Sequence, residues 1–342
     1  KNTEETKANL FATIGPVDQP GIILSGHTDV VPVTSQKWQT NPFKLTEIDN
    51  KLYGRGTADM KSFVACALYA ASKASSMNLK TPLHFSFSYD EEIGCVGVRS
   101  LIEMLKNSPI NPLFCIVGEP TSMQVMSGHK GKVNASVLIK GKEAHSALTT
   151  KGLNSIYLAS EFIQGIQSIQ TNLINNSAHD NDFEVPYTTL QVGKIEGGVA
   201  VNIVPSSSSL LFEIRSLHSD DPNLILKDIK ILSEKIVNSH IDKFPDTEIE
   251  IKVTNQYPAL NTMKNSDVIS FLNGLTGNNS VEKVSFGTEG GLFSNELNIQ
   301  TAICGPGSMN QGHQPDEYIE KVQIDLCDQM LENLLNKLEK GL

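Results

Sequence analysis

Short apolar runs that stop abruptly at acids and histidines constrain this chain more than any other feature. Its first third alternates such runs with helix-like stretches: "ANLFATIG", "GIILSGHTDVV", helix-like "MKSFVACALYAASKAS", "LHFSFSYDEE", helix-like "VRSLIEMLKN" and "PLFCIVGEP". Strand-length runs joined by helices predict an α/β sheet with at least some parallel strands. From about Lys132 the texture changes. "KVNASVLIKG", a helix from about Asn154 to Thr171, "TTLQVGKIEGG", "SSSLLFEIRS", a helix from about Pro222 to His240 and "EIEIKVTN" give a β-α-β-β-α-β order, which packs as a compact two-layer α+β unit. After "YPALN" the first texture returns, with "NIQTAICGPG" and an amphipathic helix from about Glu317. The expected architecture is an α/β domain in two pieces, 1–130 and 257–342, around an inserted domain, 131–256. A length of 342 residues suits two separately stable domains.

Composition narrows the function classes. With 39% hydrophobic and 19% charged residues the chain reads as globular, and no apolar run approaches the roughly 18 to 20 residues that span a bilayer. A formal charge of -10 with no concentrated basic face argues against nucleic acid as partner. The cysteines Cys66, Cys95, Cys115, Cys304 and Cys327 are odd in number, lie in apolar segments and form no C-x-x-C pair. They read as buried thiols rather than a disulfide framework or a thiolate metal site. The opening "KNTEETKANL" has no apolar signal segment, so the expected location is cytoplasmic.

Four strand-like runs end in polar residues. "GIILSG" leads to His27 and Asp29, "LHFSFSY" to Glu91 and Glu92, "LFCIV" to Glu119, and "QTAIC" to a Gly-Pro-Gly loop and His313; Asp59 sits in "YGRGTADMKS" at a helix start. Each alone has an ordinary reading: a loop histidine, an acidic helix start, an N-cap or a Pro-fixed turn. Ligand crevices of open α/β sheets lie beyond the carboxyl ends of the strands, so these groups can converge. Two imidazoles with several carboxylates at one place suit a divalent cation, or a pair, whose charge offsets the repulsion among crowded acids. Imidazole and carboxylate without thiolate fits Zn2+, with Co2+ or Mn2+ as substitutes. His129, Lys130 and Lys132 in "GHKGK" read as a solvated strand end, and His84, His179, His218 and His240 have no companions in sequence.

The segments "SGHTDVVP", "YGRGTADMKS", "DEEIGCVG", "GEPT", "GKEAHSA" and "GPGSMNQGHQPDEY", in this order, resemble the di-zinc amidohydrolase family that includes deacetylases of acetylornithine, desuccinylases of succinyl-diaminopimelate and carboxypeptidase G. The resemblance covers nearly the whole chain. Within the family, "KANLFATIGP", "PFKLTEIDNKLYGRGTADMKSFVA" and "FGTEGGLF" are most similar to the enzymes that act on N2-acetylornithine; Gly290 stands where those carry Ala. The resemblance implies a mixed-sheet, zinc-peptidase-like catalytic domain with an inserted dimerisation or lid domain. It also implies two Zn2+ per subunit, a homodimer, an acylated amino acid as substrate and a place in arginine biosynthesis. Desuccinylation, dipeptide cleavage and aminoacylase activity are the alternatives that share the same ligands, and a catalytically silent binding protein is the alternative of another class.

By the same resemblance Asp59 bridges two ions, His27 and Glu119 complete one, and Glu92 and His313 complete the other. Asp29, two residues after His27, is placed to accept the second imidazole N–H. Glu91 fits the general base for a hydroxide held between the ions. His145 would donate to the tetrahedral oxyanion, supplied across a dimer. Asn202 and Arg215 match positions that meet the substrate, Arg215 offering a fork for its carboxylate. Gly287, Thr288 and Glu289 match another substrate-facing stretch, with Glu289 expected to meet the side-chain ammonium; the ordinary reading of Glu289 is a helix-start acid facing solvent.

Overall fold

The run Gly21–His27 forms a strand buried at all seven positions, as expected of a strand covered on both faces. The computed structural model, which describes all residues 1–342, places this strand between Leu83–Ser88 and Pro112–Val117, parallel to both. The full order in this eight-stranded sheet is Leu10–Ile14, Leu83–Ser88, Gly21–His27, Pro112–Val117, Gln300–Ile303, Val125–His129 and Leu260–Asn261, with Val281–Val284 also pairing with Val125–His129. Leu10–Ile14 and Leu260–Asn261 run antiparallel to their neighbours, so the sheet is mixed. Side chains alternate across a strand. Ile22, Leu24, Phe85 and Ile116 therefore share one face, where they form a core with Phe63, Ala67 and Ala70 of helix Ser62–Ala74, Leu272 of helix Asp267–Thr276 and Leu334 of helix Lys321–Lys340. Helices Val98–Lys106 and Gly290–Leu297 contact the sheet and each other as well. A smaller sheet joins Thr46–Ile48, Lys51–Tyr53 and Tyr318–Glu320.

The chain divides into two compact units, Lys1–His129 with Leu260–Leu342, and Lys130–Ala259. In the second unit an antiparallel sheet runs Thr189–Gly197, Ser207–Ser216, Gly131–Lys140, Glu248–Tyr257. Helices Ser155–Asn176 and Pro222–Asn238 close its core through Leu158, Phe162, Ile166, Ile225, Ile229 and Ile236. Both helices start at side-chain caps. Asn154 accepts the N–H groups of Ile156 and Tyr157, and Asp221 accepts that of Asn223 ahead of Pro222, satisfying donors that the first helical turn leaves unpaired.

Three expectations need correction. The C-terminal helix starts at Lys321, not near Glu317, because Tyr318–Glu320 pairs with Lys51–Tyr53 and Glu317 is committed to other backbone groups. The first inserted helix continues to Asn176 rather than Thr171, since nothing breaks it and Leu173 still packs into the core. "GHKGK" is not a solvated strand end. His129 is fully buried, its Nε2 accepting the Gly291 N–H at 3.1 Å, and the Lys130 Nζ donates to the Tyr187 carbonyl at 2.6 Å. All five cysteines are buried free thiols. No helix is long and apolar enough to cross a membrane.

Candidate metal centre

Parallel pairing in register brings the expected acids and histidines to one edge of the first sheet. His27 ends its strand opposite Ser88, the last residue of the adjacent strand, and the Thr28 N–H bonds the Ser88 carbonyl at 3.0 Å. Glu91 and Glu92 follow three and four residues after Ser88. Ser25 pairs with Val117, so Glu119 emerges at the same level. Gly118 between them has a packing reason: a Cβ there would lie 2.0 Å from the Phe63 ring. Gly56, with φ +87°, turns the chain in a conformation that side chains avoid, and Asp59 follows in the turn Thr57–Lys61.

Asp59 is the centre of the cluster. Its Oδ1 lies 3.0 Å from His27 Nε2, and its Oδ2 lies 3.0 Å from His313 Nε2. Glu119 Oε1 is 3.8 Å from the same His27 nitrogen, and Glu92 Oε2 is 3.2 Å from the same His313 nitrogen. One carboxylate thus separates two sets of donors, His27 with Glu119 and His313 with Glu92. Ligand atoms of His27, Asp59 and Glu92 lie within 4.8 Å of one another, as do those of His27, Glu91 and Glu119. His27, Asp59 and Glu119 are buried, whereas the His313 side chain is 44% exposed.

The crowding shows in the protonation equilibria. Burial pushes the Glu91 carboxyl up to about 8, with Glu289, Asp59 and Glu92 adding to the rise against His27. Burial, then the Asp59 charge, also raise Glu119 well above its ordinary range. Hydrogen bonds to Asp59 and Glu92 push His313 up to about 10. Burial disfavours the charged form of His27, yet its bonds to Asp29 and Asp59 raise it well above 6.5. Burial likewise opposes ionisation of Asp59, and the two imidazoles overcome it and hold the carboxyl below its ordinary value. Such a cluster collects protons unless a multivalent cation takes their place.

The donors fit that group. They are imidazole nitrogens and carboxylate oxygens, the set that suits a divalent cation such as Zn2+, Co2+ or Mn2+. Glu92 Oε1 is buried with no hydrogen-bond partner, as a reserved ligand atom would be. Asp29 braces the cluster, its Oδ1 and Oδ2 accepting the backbone N–H groups of Glu91 and Glu92 at 3.2 and 3.1 Å. Its nearest contact with His27 Nδ1 is made by its backbone carbonyl, at 3.0 Å, and its carboxylate is at 3.5 Å. The expected imidazole partner is thus the main chain of the expected residue. Glu91 Oε1 accepts the Cys95 thiol at 3.2 Å, a contact not read from the sequence.

The remaining expected residues fall into two groups. Gly287, Thr288 and Glu289 belong to the first unit, and Thr288 and Glu289 are buried. Glu289 is 1% exposed, and its carboxyl is taken by the hydroxyls of Ser25, at 3.2 Å, and Ser88. It neither faces solvent nor offers a free carboxylate, and the next residue, Gly290, packs so closely that a Cβ there would lie 3.1 Å from Leu260 and from Thr288. His145, Asn202 and Arg215 belong to the second unit. His145 is exposed, and its Nδ1 accepts the Ala147 N–H at 3.1 Å, leaving the proton of a neutral ring on Nε2. The exposed Asn202 accepts the Ser146 N–H through its main-chain carbonyl at 3.0 Å. Arg215 spends Nε and Nη2 on Glu213, at 2.8 and 3.1 Å, and its Nη1 lies 3.4 Å from the Tyr257 hydroxyl.

Comparison with known proteins shows which family the chain is similar to. The sequence profile of the peptidase family M20/M25/M40 matches residues 23–337. The acetylornithine deacetylase of Pasteurella multocida (strain Pm70) is 36% identical over 335 residues, covering 98% of this chain and 85% of that protein. Among solved structures, an M20 family metallo-carboxypeptidase from Sulfolobus solfataricus superposes with a TM-score of 0.76 at 20% identity, over 97% of this chain and 88% of that one. A Bacillus subtilis protein described as a dinuclear metal-binding peptidase of the M20 family superposes with a TM-score of 0.62 at 17% identity, over 96% and 84% of the two chains.

Proposed function

The chain belongs to the peptidase family M20/M25/M40 and is a metal-dependent hydrolase, and on that premise we propose that it removes the acetyl group of N2-acetylornithine, releasing ornithine and acetate. The observation that carries the hydrolytic reading is Asp59, whose two oxygens face two separate imidazoles. In this reading His27, Glu119 and Asp59 hold one divalent cation, and His313, Glu92 and Asp59 hold a second. When bound, such a pair lowers the pKa of water and stabilises negative charge on an amide oxygen. The chain's own groups do the rest. Glu91, beside His27 and Glu119, takes the proton of the attacking water and returns it to the leaving amine. Asp29 keeps Glu91 in place through the backbone N–H bonded to its carboxylate. His145 presents Nε2–H as the donor to the amide oxygen, from a partner subunit in a homodimer. Asn202 and Arg215 meet the substrate in the same account, Arg215 taking its carboxylate once the guanidinium turns from Glu213.

The choice of acetylornithine rests on the name of the Pasteurella relative and on a likeness that spans nearly the whole chain. A panel of N2-acetylornithine, acetylmethionine, succinyl-diaminopimelate and a dipeptide, read by acetate, succinate or amino-acid release, tests it. The highest kcat/KM is expected on acetylornithine. Faster succinate release or peptide cleavage would overturn the substrate and leave the hydrolase.

A further inference from the structure

Glu317 is buried to 1% exposure at the heart of the first unit and belongs to neither set of donors. Its Oε1 accepts three backbone N–H groups, those of Gly56, Ala58 and Asp59, at 3.1, 2.9 and 3.1 Å. Oε2 pairs with Arg55 Nη1, and Arg55 is itself buried. Three N–H bonds converging on one carboxylate oxygen are charge-assisted and fix the turn that carries Asp59. Arg55 gives that buried carboxylate a paired countercharge, without which its burial would be costly.

The network continues to the other side of the cluster. Arg55 Nη2 donates to Gln36 Oε1 at 2.6 Å, and Gln36 Nε2 donates to the main-chain carbonyl of His313 at 3.0 Å. The indole N–H of Trp38 bonds the same Gln36 oxygen at 3.1 Å, and the Arg55 guanidinium lies 5.3 Å from the Trp38 ring centroid. His313 needs this support: it adopts φ +61°, uncommon for a residue with a side chain. His27, the last residue of its strand, and Glu119, two residues past the end of the adjacent one, are held differently, with Asp29 beside His27.

We propose that Glu317, Arg55 and Gln36 form a positioning network that sets Asp59 and His313 together, so that its loss weakens the His313 cation position well before the His27 position. The inference rests on the reading of Asp59 as shared between two cations. Residues that orient ligands in this way are worth about 10- to 100-fold in metal affinity, which is the loss expected at the His313 position for Glu317→Gln. Gln36→Ala removes a single bond to His313 and should cost about 3- to 10-fold there.

Co2+ titration of the metal-depleted full chain, followed by absorbance and chelator competition, tests the proposal. His313→Ala identifies which of the equivalents depends on His313. The account expects that equivalent to weaken well beyond the other in Glu317→Gln, since Asp59 serves both, and alone in Gln36→Ala, with the other then within about threefold of the parent. Gln36→Glu separates positioning from packing: it still accepts from Arg55 but no longer donates to His313, so it should lose affinity as Gln36→Ala does. Gln36 is only half-buried, so the Gln36 pair decides if Glu317→Gln does not fold. Binding of both equivalents as in the parent, equal weakening of both, or full affinity in Gln36→Glu would overturn the network. A parent protein that binds fewer than two equivalents would instead overturn the underlying two-cation reading.

Discussion

Replacing Glu289 by glutamine should stabilise the metal-depleted protein at alkaline pH and leave it unchanged in acid. The carboxyl is sealed, bonded to Ser25 and Ser88, and burial raises its pKa from 4.5 to about 7. Folding therefore favours the protonated form. The stabilisation is fully present below pH 4.5, where both states carry the proton, and is lost as pH rises through 7. A gap of about 2.5 pH units corresponds to about 3 kcal/mol. Glutamine keeps the shape, an acceptor and a donor for the two serines, and has nothing to ionise. Urea unfolding followed by the fluorescence of Trp38, the single tryptophan, reports on this unit directly. The difference between variant and parent should be near zero at pH 4.5 and grow to about 3 kcal/mol in favour of the variant by pH 8. Parallel curves across that range would refute the reasoning. The same variant should lower kcat/KM for acetylornithine and acetylmethionine by equal factors. A selective 10- to 100-fold loss on acetylornithine, the size of one charge-assisted bond, would show that Glu289 reaches the substrate ammonium after all.

Glu91→Gln should bind metal nearly as the parent does and lose about 10²- to 10⁴-fold in kcat, the range of a missing general acid-base group; loss of metal in step with activity would make Glu91 a ligand. His84→Phe should flatten the acid limb of stability. His84 is fully buried and burial lowers it from 6.5 to about 4, so the parent loses about 3 kcal/mol as pH falls between those values. A Phe variant that loses stability over the same window to the same extent would show that another group is responsible. Gly118→Ala should destabilise the fold by about 1 to 3 kcal/mol through overpacking against Phe63 and weaken cation binding through the neighbouring Glu119; unfolding midpoints and cobalt affinity unchanged from the parent would count against this packing.

Most of the cluster was legible because its members follow the ends of strands, where the run of apolar residues breaks and the type of the next side chain is visible, while Asp59 stood out at a helix start. His27, Glu92 and Glu119 could be picked out for the first reason. What sequence did not reveal were partners chosen by packing. Glu317 lay inside a quoted motif, yet nothing in "PDEY" says that its carboxylate collects three N–H groups from a turn more than 250 residues earlier. The same local signal misled at its start: a polar run ahead of an amphipathic stretch reads as a helix entry, whereas Tyr318–Glu320 pairs as a strand. Glu289 read as an acid for the substrate ammonium, with a solvent-facing helix start as the ordinary alternative, and neither reading contains the two serines on neighbouring strands that take its carboxyl. His129 and Lys130 read as solvated because charge is the visible feature, while their burial depends on contacts with Gly291 and Tyr187 far along the chain.

The central claim is that two cations, held on either side of Asp59, are required for deacetylation. Acetate release from N2-acetylornithine should be measured while Zn2+ or Co2+ is titrated into chelated, metal-depleted protein. The account predicts negligible activity at the start and full activity as the second equivalent binds. Full activity in the thoroughly depleted protein, or a rise complete at one equivalent, would contradict it.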